Sequence, residues 1–66
     1  MQVTVNGARK ELKSNTSLQQ LLLQLETGEG RIAIEINGEI VPRSSFQQRL
    51  LQSDDRIEIV QAIGGG

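Results

Sequence analysis

Apolar and polar side chains alternate at the start of the chain, which is the pattern of a β-strand with one buried face. Val3 and Val5 belong to the apolar set. The Asn6-Gly7 pair that follows suits a two-residue hairpin turn, because both residues tolerate left-handed backbone angles. The sequence therefore predicts a first β-hairpin, with its returning strand over residues 8–12.

A second hairpin is predicted by the same signals in the middle of the chain. Isoleucines alternate with other residues over 32–36, and Asn37-Gly38 repeats the turn sequence. A short returning strand over 39–41 ends before Pro42, since proline lacks the backbone N–H that a sheet ladder needs.

Leucines between the two hairpins recur at the spacing of one helical face. They are Leu18, Leu21, Leu22 and Leu25. Ser17 followed by Gln20 predicts a capping box at the start of this helix. The helix is expected to end near Glu26, because residues 27–30 include two glycines. We interpret the leucines as core residues and not as a functional stripe.

The region between the second hairpin and the last strand, residues 42–52, shows no clean period. Phe46, Leu50 and Leu51 are expected to hold an irregular or one-turn helical segment against the core. Phe46 is the only aromatic residue of the chain, and we interpret it as a packing residue and not as a platform for a ligand.

A last alternating stretch precedes the C-terminus. Ile57 and Ile59 are expected to face the core, which leaves Glu58 and Val60 on the opposite face of the strand. Two hairpins that flank one helix, followed by a strand free to insert between the outer strands, predict an α+β fold. Its mixed sheet is expected to pack on the single helix.

The composition argues against an enzyme. The 66 residues include no Cys, His, Trp or Tyr, which removes thiol nucleophiles, imidazole acid–base chemistry and most zinc-ligand sets. Asp54 and Asp55 project in different directions and have no further ligand nearby, so a turn explains them better than a metal or acid–base pair. The sequence therefore predicts no catalytic residue and no metal site.

Charge and hydropathy narrow the class of partner. Seven basic and eight acidic residues are scattered along the chain, and the net charge of −1 offers no basic stripe for nucleic acid. Residues 1–10 lack the apolar core of a signal peptide, and no apolar stretch reaches the length of a membrane span. We expect a cytoplasmic domain that binds neither nucleic acid nor membrane.

The most distinctive chemical feature is the C-terminus, where Gly64, Gly65 and Gly66 follow the last strand. Glycines form a slim arm that can pass through a narrow channel of a partner enzyme. The free carboxylate of Gly66 would become an electrophile once ATP converts it to an acyl adenylate. The alternative is that the glycines are a flexible stub or a remnant of cloning.

Three stretches resemble the ThiS family of thiamine-biosynthesis sulfur carriers. They are NGEIVPR over residues 37–43, DDRIEIV over residues 54–60, and the terminal Gly65-Gly66. The resemblance implies a ubiquitin-like β-grasp domain over residues 1–63 and a flexible tail over residues 64–66. Gly64 departs from many members, which carry a bulkier residue there, so the family role carries over to Gly65 and Gly66.

The same resemblance implies a carrier cycle. A ThiF-like enzyme consumes ATP to adenylate the Gly66 carboxylate, and sulfur from a cysteine desulfurase then converts it to a thiocarboxylate. The thiazole synthase ThiG accepts this sulfur during thiazole formation. The chain is then a co-substrate without a bound cofactor, and we expect it to be a monomer when free.

Two other classes of function use the same kind of terminus. A terminal diglycine is shared with sulfur carriers for molybdopterin or cysteine synthesis. It is also shared with ubiquitin-like modifiers, whose carboxylate forms an amide with a lysine, and a plain interaction module is a related alternative. For all of them, strand alternation makes Val60 and Ala62 candidates for an exposed partner surface.

Overall fold

The structure is a computed structural model that describes residues 1–25 and 32–61. These residues include five β-strands and one α-helix. In chain order they are β1 (Gln2–Val5), β2 (Ala8–Glu11), α1 (Leu18–Gln24), β3 (Ile32–Ile36), β4 (Glu39–Val41) and β5 (Arg56–Gln61). A one-turn 3₁₀ helix, Arg43–Ser45, lies between β4 and β5. The predicted order of elements is confirmed.

The last strand in sequence, β5, lies at the centre of the sheet. The strand order is β2-β1-β5-β3-β4. β5 runs parallel to β1 and antiparallel to β3, so the sheet is mixed. The prediction that the last strand inserts between the outer strands is therefore confirmed, and the register places it between the two hairpins.

Both Asn-Gly pairs form the predicted two-residue hairpin turns. The backbone φ angles are 49° at Asn6 and 86° at Gly7, and they are 54° at Asn37 and 86° at Gly38. Two successive positive values are those of a type I′ turn, whose twist matches the twist of the flanking strands. The turns close β1 onto β2 and β3 onto β4.

The side chains of the two turn asparagines also hold β5, one from each neighbouring hairpin. Asn6 Oδ1 accepts a hydrogen bond from Ile59 N at 2.7 Å. Asn37 Oδ1 accepts one from Arg56 N at 3.0 Å, and Asn37 N donates to Arg56 O at 2.8 Å. The sequence predicted the turns but not these contacts, which join segments far apart in the chain.

Helix α1 begins with the predicted capping box. Gln20 N donates to Ser17 Oγ at 3.1 Å, and Ser17 N donates to Gln20 Oε1 at 2.9 Å. The first N–H groups of a helix have no partner within the helix itself. Here Leu18 N donates to Arg49 O at 2.8 Å, so the segment after β4 completes the helix terminus.

One apolar layer between α1 and the sheet forms the core of the described residues. Its buried members are Val3, Leu12, Leu18, Leu21, Leu22, Ile34, Ile36, Phe46, Leu51 and Ile57. They include most of the predicted helix face, and Phe46 packs in the core as expected. The helix ends at Gln24, close to the predicted end, and Glu26 lies outside the described residues.

Leu50 does not belong to the core, and the expectation that it packs there was wrong. Its side chain is 49% exposed, whereas the neighbouring Leu51 is buried. Leu50 forms a β-bridge with Ser17, and Leu51 N donates to Thr16 O at 2.9 Å. Neighbouring side chains point to opposite sides of such extended backbone, so only one of the two leucines faces inward.

Asp55 is a buried structural carboxylate at the entry to β5. Its side chain is only 5% exposed. Oδ1 accepts from Asn37 Nδ2 at 3.0 Å, and Oδ2 accepts from Gln52 N at 2.8 Å. Asp54 is exposed and has a φ of 69°. The aspartate pair therefore forms the predicted turn, and Asp55 ties that turn to the second hairpin.

Replacing Asp55 by Ala is expected to lower the free energy of unfolding by about 1–3 kcal/mol, because Asn37 Nδ2 and Gln52 N lose their acceptor at a partly buried site. The control is Asp54→Asn, which keeps a residue that tolerates the left-handed conformation. Its effect is expected to stay within about 0.5 kcal/mol. Urea denaturation followed by circular dichroism measures both variants, and equal losses would contradict the structural role of Asp55.

Candidate functional site: the open face of the sheet and the C-terminal strand

One face of the sheet is not covered by the helix, and the strand registers show which side chains lie on it. Ala33 pairs with Val60 across β3 and β5, and Glu35 pairs with Glu58. Ile40 of β4 pairs with Glu35. Directly paired residues share a face of the sheet, so these five side chains lie together on the side opposite the core.

Three of these side chains are apolar and exposed: Ala33, Ile40 and Val60, here named the open-face patch. Ile40 is 74% exposed and Val60 is 57% exposed. The alternation along the last strand predicted this position for Val60. Ala33 and Ile40 were not predicted to lie on an exposed surface. The two-residue turn between β3 and β4 could have predicted the face on which Ile40 lies, because such a turn fixes the register of the paired strands.

Two carboxylates lie beside the open-face patch. Glu35 and Glu58 are directly paired across β3 and β5, and like charges in this arrangement repel one another. No hydrogen bond or ion pair between residues that the structure describes involves either side chain. The face thus combines apolar contact area with negative charge, which suits a partner surface that carries apolar and basic side chains.

Acidic side chains of the described residues form no metal-binding cluster. Within residues 1–25 and 32–61, no three His, Cys, Asp or Glu side chains are grouped closely enough to hold a metal ion. The N-terminal ammonium donates to Glu11 Oε2 at 2.8 Å on edge strand β2, and this hydrogen bond and its charge lower the pKa of Glu11. No helix in this part of the chain is long and apolar enough to cross a membrane.

The C-terminal candidates lie beyond the described residues. β5 is described up to Gln61, which pairs with Ile32 of β3. Outside this range lie Ala62, Gly64, Gly65 and Gly66. Their roles in the tail and the partner surface stay predictions, as does the division of the chain into residues 1–63 and 64–66.

The whole chain is similar in sequence to a known protein family and to known proteins. The model of the ThiS family matches residues 3–66. Sulfur carrier protein ThiS of Escherichia coli K12 is 33% identical over 66 residues, which are the whole length of both chains. The thiazole synthase of Paramagnetospirillum magneticum is 36% identical over 66 residues, which are all of this chain but 20% of that protein.

The third relative is a solved structure with the same fold. It is the crystal structure of the thiamine biosynthesis protein ThiS from Geobacter metallireducens, with a TM-score of 0.86 and 28% identity over the whole of both chains. The ubiquitin-like β-grasp fold that the resemblance implied, a mixed sheet packed on one helix, is therefore confirmed. Since the family model, a full-length relative and the fold agree, the chain belongs to the ThiS family.

Proposed function

We propose that this chain is a sulfur carrier for thiamine biosynthesis and that the carboxylate of Gly66 carries the sulfur. The observation behind the proposal is the match to the ThiS family through residue 66, which includes the terminal Gly65-Gly66. The full-length similarity to the E. coli protein named sulfur carrier protein ThiS supports it. The chain is then a co-substrate whose chemistry is performed by partner enzymes.

The terminal glycines suit this chemistry because they bring a carboxylate to an enzyme without side chains that would obstruct a narrow channel. An activating enzyme similar to ThiF joins the Gly66 carboxylate to the AMP part of ATP and releases pyrophosphate. Persulfide sulfur derived from a cysteine desulfurase then displaces AMP and forms an acyl disulfide at Gly66. A thiol reductant cleaves the S–S bond of this disulfide and leaves the thiocarboxylate. These steps use no acid, base or cofactor held by the carrier.

Thiazole synthase is the sulfur acceptor that the relatives favour. In Paramagnetospirillum magneticum, a protein named thiazole synthase includes a region similar to all of this chain, which spans only 20% of its length. A carrier region within a synthase polypeptide keeps the donor at a high effective concentration. We therefore propose that the present chain delivers sulfur to a thiazole synthase similar to ThiG.

The open-face patch is the proposed docking surface for these enzymes, and Ala62 stays a predicted addition to it. Val60 lies near the end of β5, so contacts around it hold the terminus close to the enzyme that acts on it. Exposed apolar side chains supply contact area that excludes water. Glu35 and Glu58 favour partners that place a basic residue within the contact.

The Gly66 carboxylate is expected to become a thiocarboxylate when the chain is incubated with ATP, the activating enzyme, the sulfur donor and a thiol reductant. Intact-mass spectrometry detects a gain equal to the difference between a sulfur and an oxygen atom. A variant with one residue added after Gly66 has an ordinary amide at that carbon and is expected not to react, while circular dichroism shows that it is folded. Adenylation of this variant at Gly66, or a lysine amide as the product, would contradict the carrier function.

Val60→Glu is expected to raise the KM of the activating enzyme for the carrier by about tenfold, because it replaces apolar contact area by a charge that must be desolvated on binding. Thermal unfolding is expected to change little, since Val60 is exposed. The matched control is Leu23→Glu, which alters an apolar residue of α1 that is 68% exposed and should leave KM unchanged. An unchanged KM for Val60→Glu, or an equal rise for both variants, would count against the docking surface.

A further inference from the structure

The side chain of Asn6 continues the pairing between β1 and β5 beyond the point where the backbone of β1 turns away. The last backbone contact is Asn6 N donating to Ile57 O at 2.9 Å. The next contacts use the side-chain amide: Ile59 N donates to Asn6 Oδ1 at 2.7 Å, and Asn6 Nδ2 donates to Ile59 O at 3.3 Å. An amide offers the same donor and acceptor types as a peptide unit, so it replaces the strand residue that the turn removes.

Ile59 is consequently the last described point at which β5 is hydrogen-bonded to the first hairpin. β1 pairs with β5 at Thr4 and Val5, whereas β3 pairs with β5 as far as Gln61. Without the Asn6 side chain, β5 would be held beyond Ile57 by β3 alone. One exposed side chain therefore fixes, from the second side, the segment that leads to the C-terminus.

Asn37 makes the matching contact at the other end of β5. It has the same place in the second turn, and its Oδ1 accepts from Arg56 N at 3.0 Å. Its Nδ2 donates to Asp55 Oδ1 at 3.0 Å. The two asparagines thus have like chemistry and opposite positions: Asn37 holds the entry to β5, and Asn6 holds its exit.

We propose that Asn6 is a positioning residue for the reactive terminus: by fixing Ile59 to the first hairpin, it restrains, together with β3, the direction in which the chain leaves the sheet toward Gly66. This inference rests on the function proposed above. An activating enzyme must bring the terminal carboxylate to a defined place beside ATP, and freedom at the exit of β5 has to be lost on binding. A fixed exit lowers that cost, whereas a fixed entry at Arg56 does not.

Asn6→Gly and Asn37→Gly test the proposal as a matched pair. Each removes the side-chain hydrogen bonds to the region of β5 and keeps a residue that adopts the left-handed turn conformation. For Asn6→Gly we expect the KM for the carrier in adenylation to rise about fivefold, the scale of ordering one more backbone residue on binding, with kcat unchanged. For Asn37→Gly we expect the wild-type KM, although this variant also loses a bond to the buried Asp55.

Amide hydrogen exchange measures the positioning without any partner. The Ile59 amide is expected to exchange at least about tenfold faster in Asn6→Gly, because its acceptor is lost while the rest of the sheet stays closed. In Asn37→Gly, exchange at Ile59 should rise only as far as global stability falls. Asn6→Asp retains an acceptor for Ile59 N, so its KM and exchange rate should lie between those of the wild type and Asn6→Gly.

A wild-type KM in Asn6→Gly, or the same rise in both glycine variants, would overturn the positioning role of Asn6. A wild-type chain that the activating enzyme does not adenylate would refute the proposed function instead. In that case, amide hydrogen exchange alone tests whether Asn6 fixes Ile59 to the first hairpin. Unchanged protection of Ile59 in Asn6→Gly overturns the inference, and a selective loss of protection supports it.

Discussion

The structure depends on hydrogen bonds along both edges of β5. This strand is last in sequence but central in the sheet, and its residue Ile57 is fully buried. A buried strand with an unpaired edge would leave backbone donors and acceptors without partners, which is costly. Both hairpins must therefore present a strand edge that pairs with β5. Asn6 and Asn37 each contribute to this pairing in two ways: the residue forms the hairpin turn, and its side chain accepts a hydrogen bond from β5.

Neighbouring residues of β5 have three different roles. Ile57 packs in the core, Glu58 and Val60 lie on the open face, and the strand leads to the terminal glycines. The repulsion between Glu58 and Glu35 is unfavourable for the free sheet, and local rules of this kind are commonly broken where a surface serves a partner. In the proposed function, the reactive terminus is thus attached to the central strand of the sheet.

Much of this fold is predictable because its signals are local. Alternation, the Asn-Gly turns and the leucine spacing predicted the hairpins and the helix, and the capping box at Ser17 was read from two residues. Contacts between distant segments have no such signal. The hydrogen bond from Ile59 to Asn6 joins residues 53 positions apart, and Asp55 was recognised as part of a turn but not as a buried acceptor. Likewise, the exposed position of Val60 was predicted from the alternation along its own strand. The positions of Ala33 and Ile40 on the same face follow only from the registers of β3 and β4.

In the proposed function, the folded domain presents a terminus whose chemistry belongs to other enzymes. The most direct measurement compares the whole chain with a synthetic peptide of residues 56–66 as substrates for adenylation by the same activating enzyme. Both have the same reacting carboxylate, but the peptide lacks the open face and the fixed exit of β5. We expect kcat/KM for the peptide to be lower by at least about a hundredfold, since binding remote from the reacting group is lost. A peptide adenylated as efficiently as the whole chain would contradict the claim.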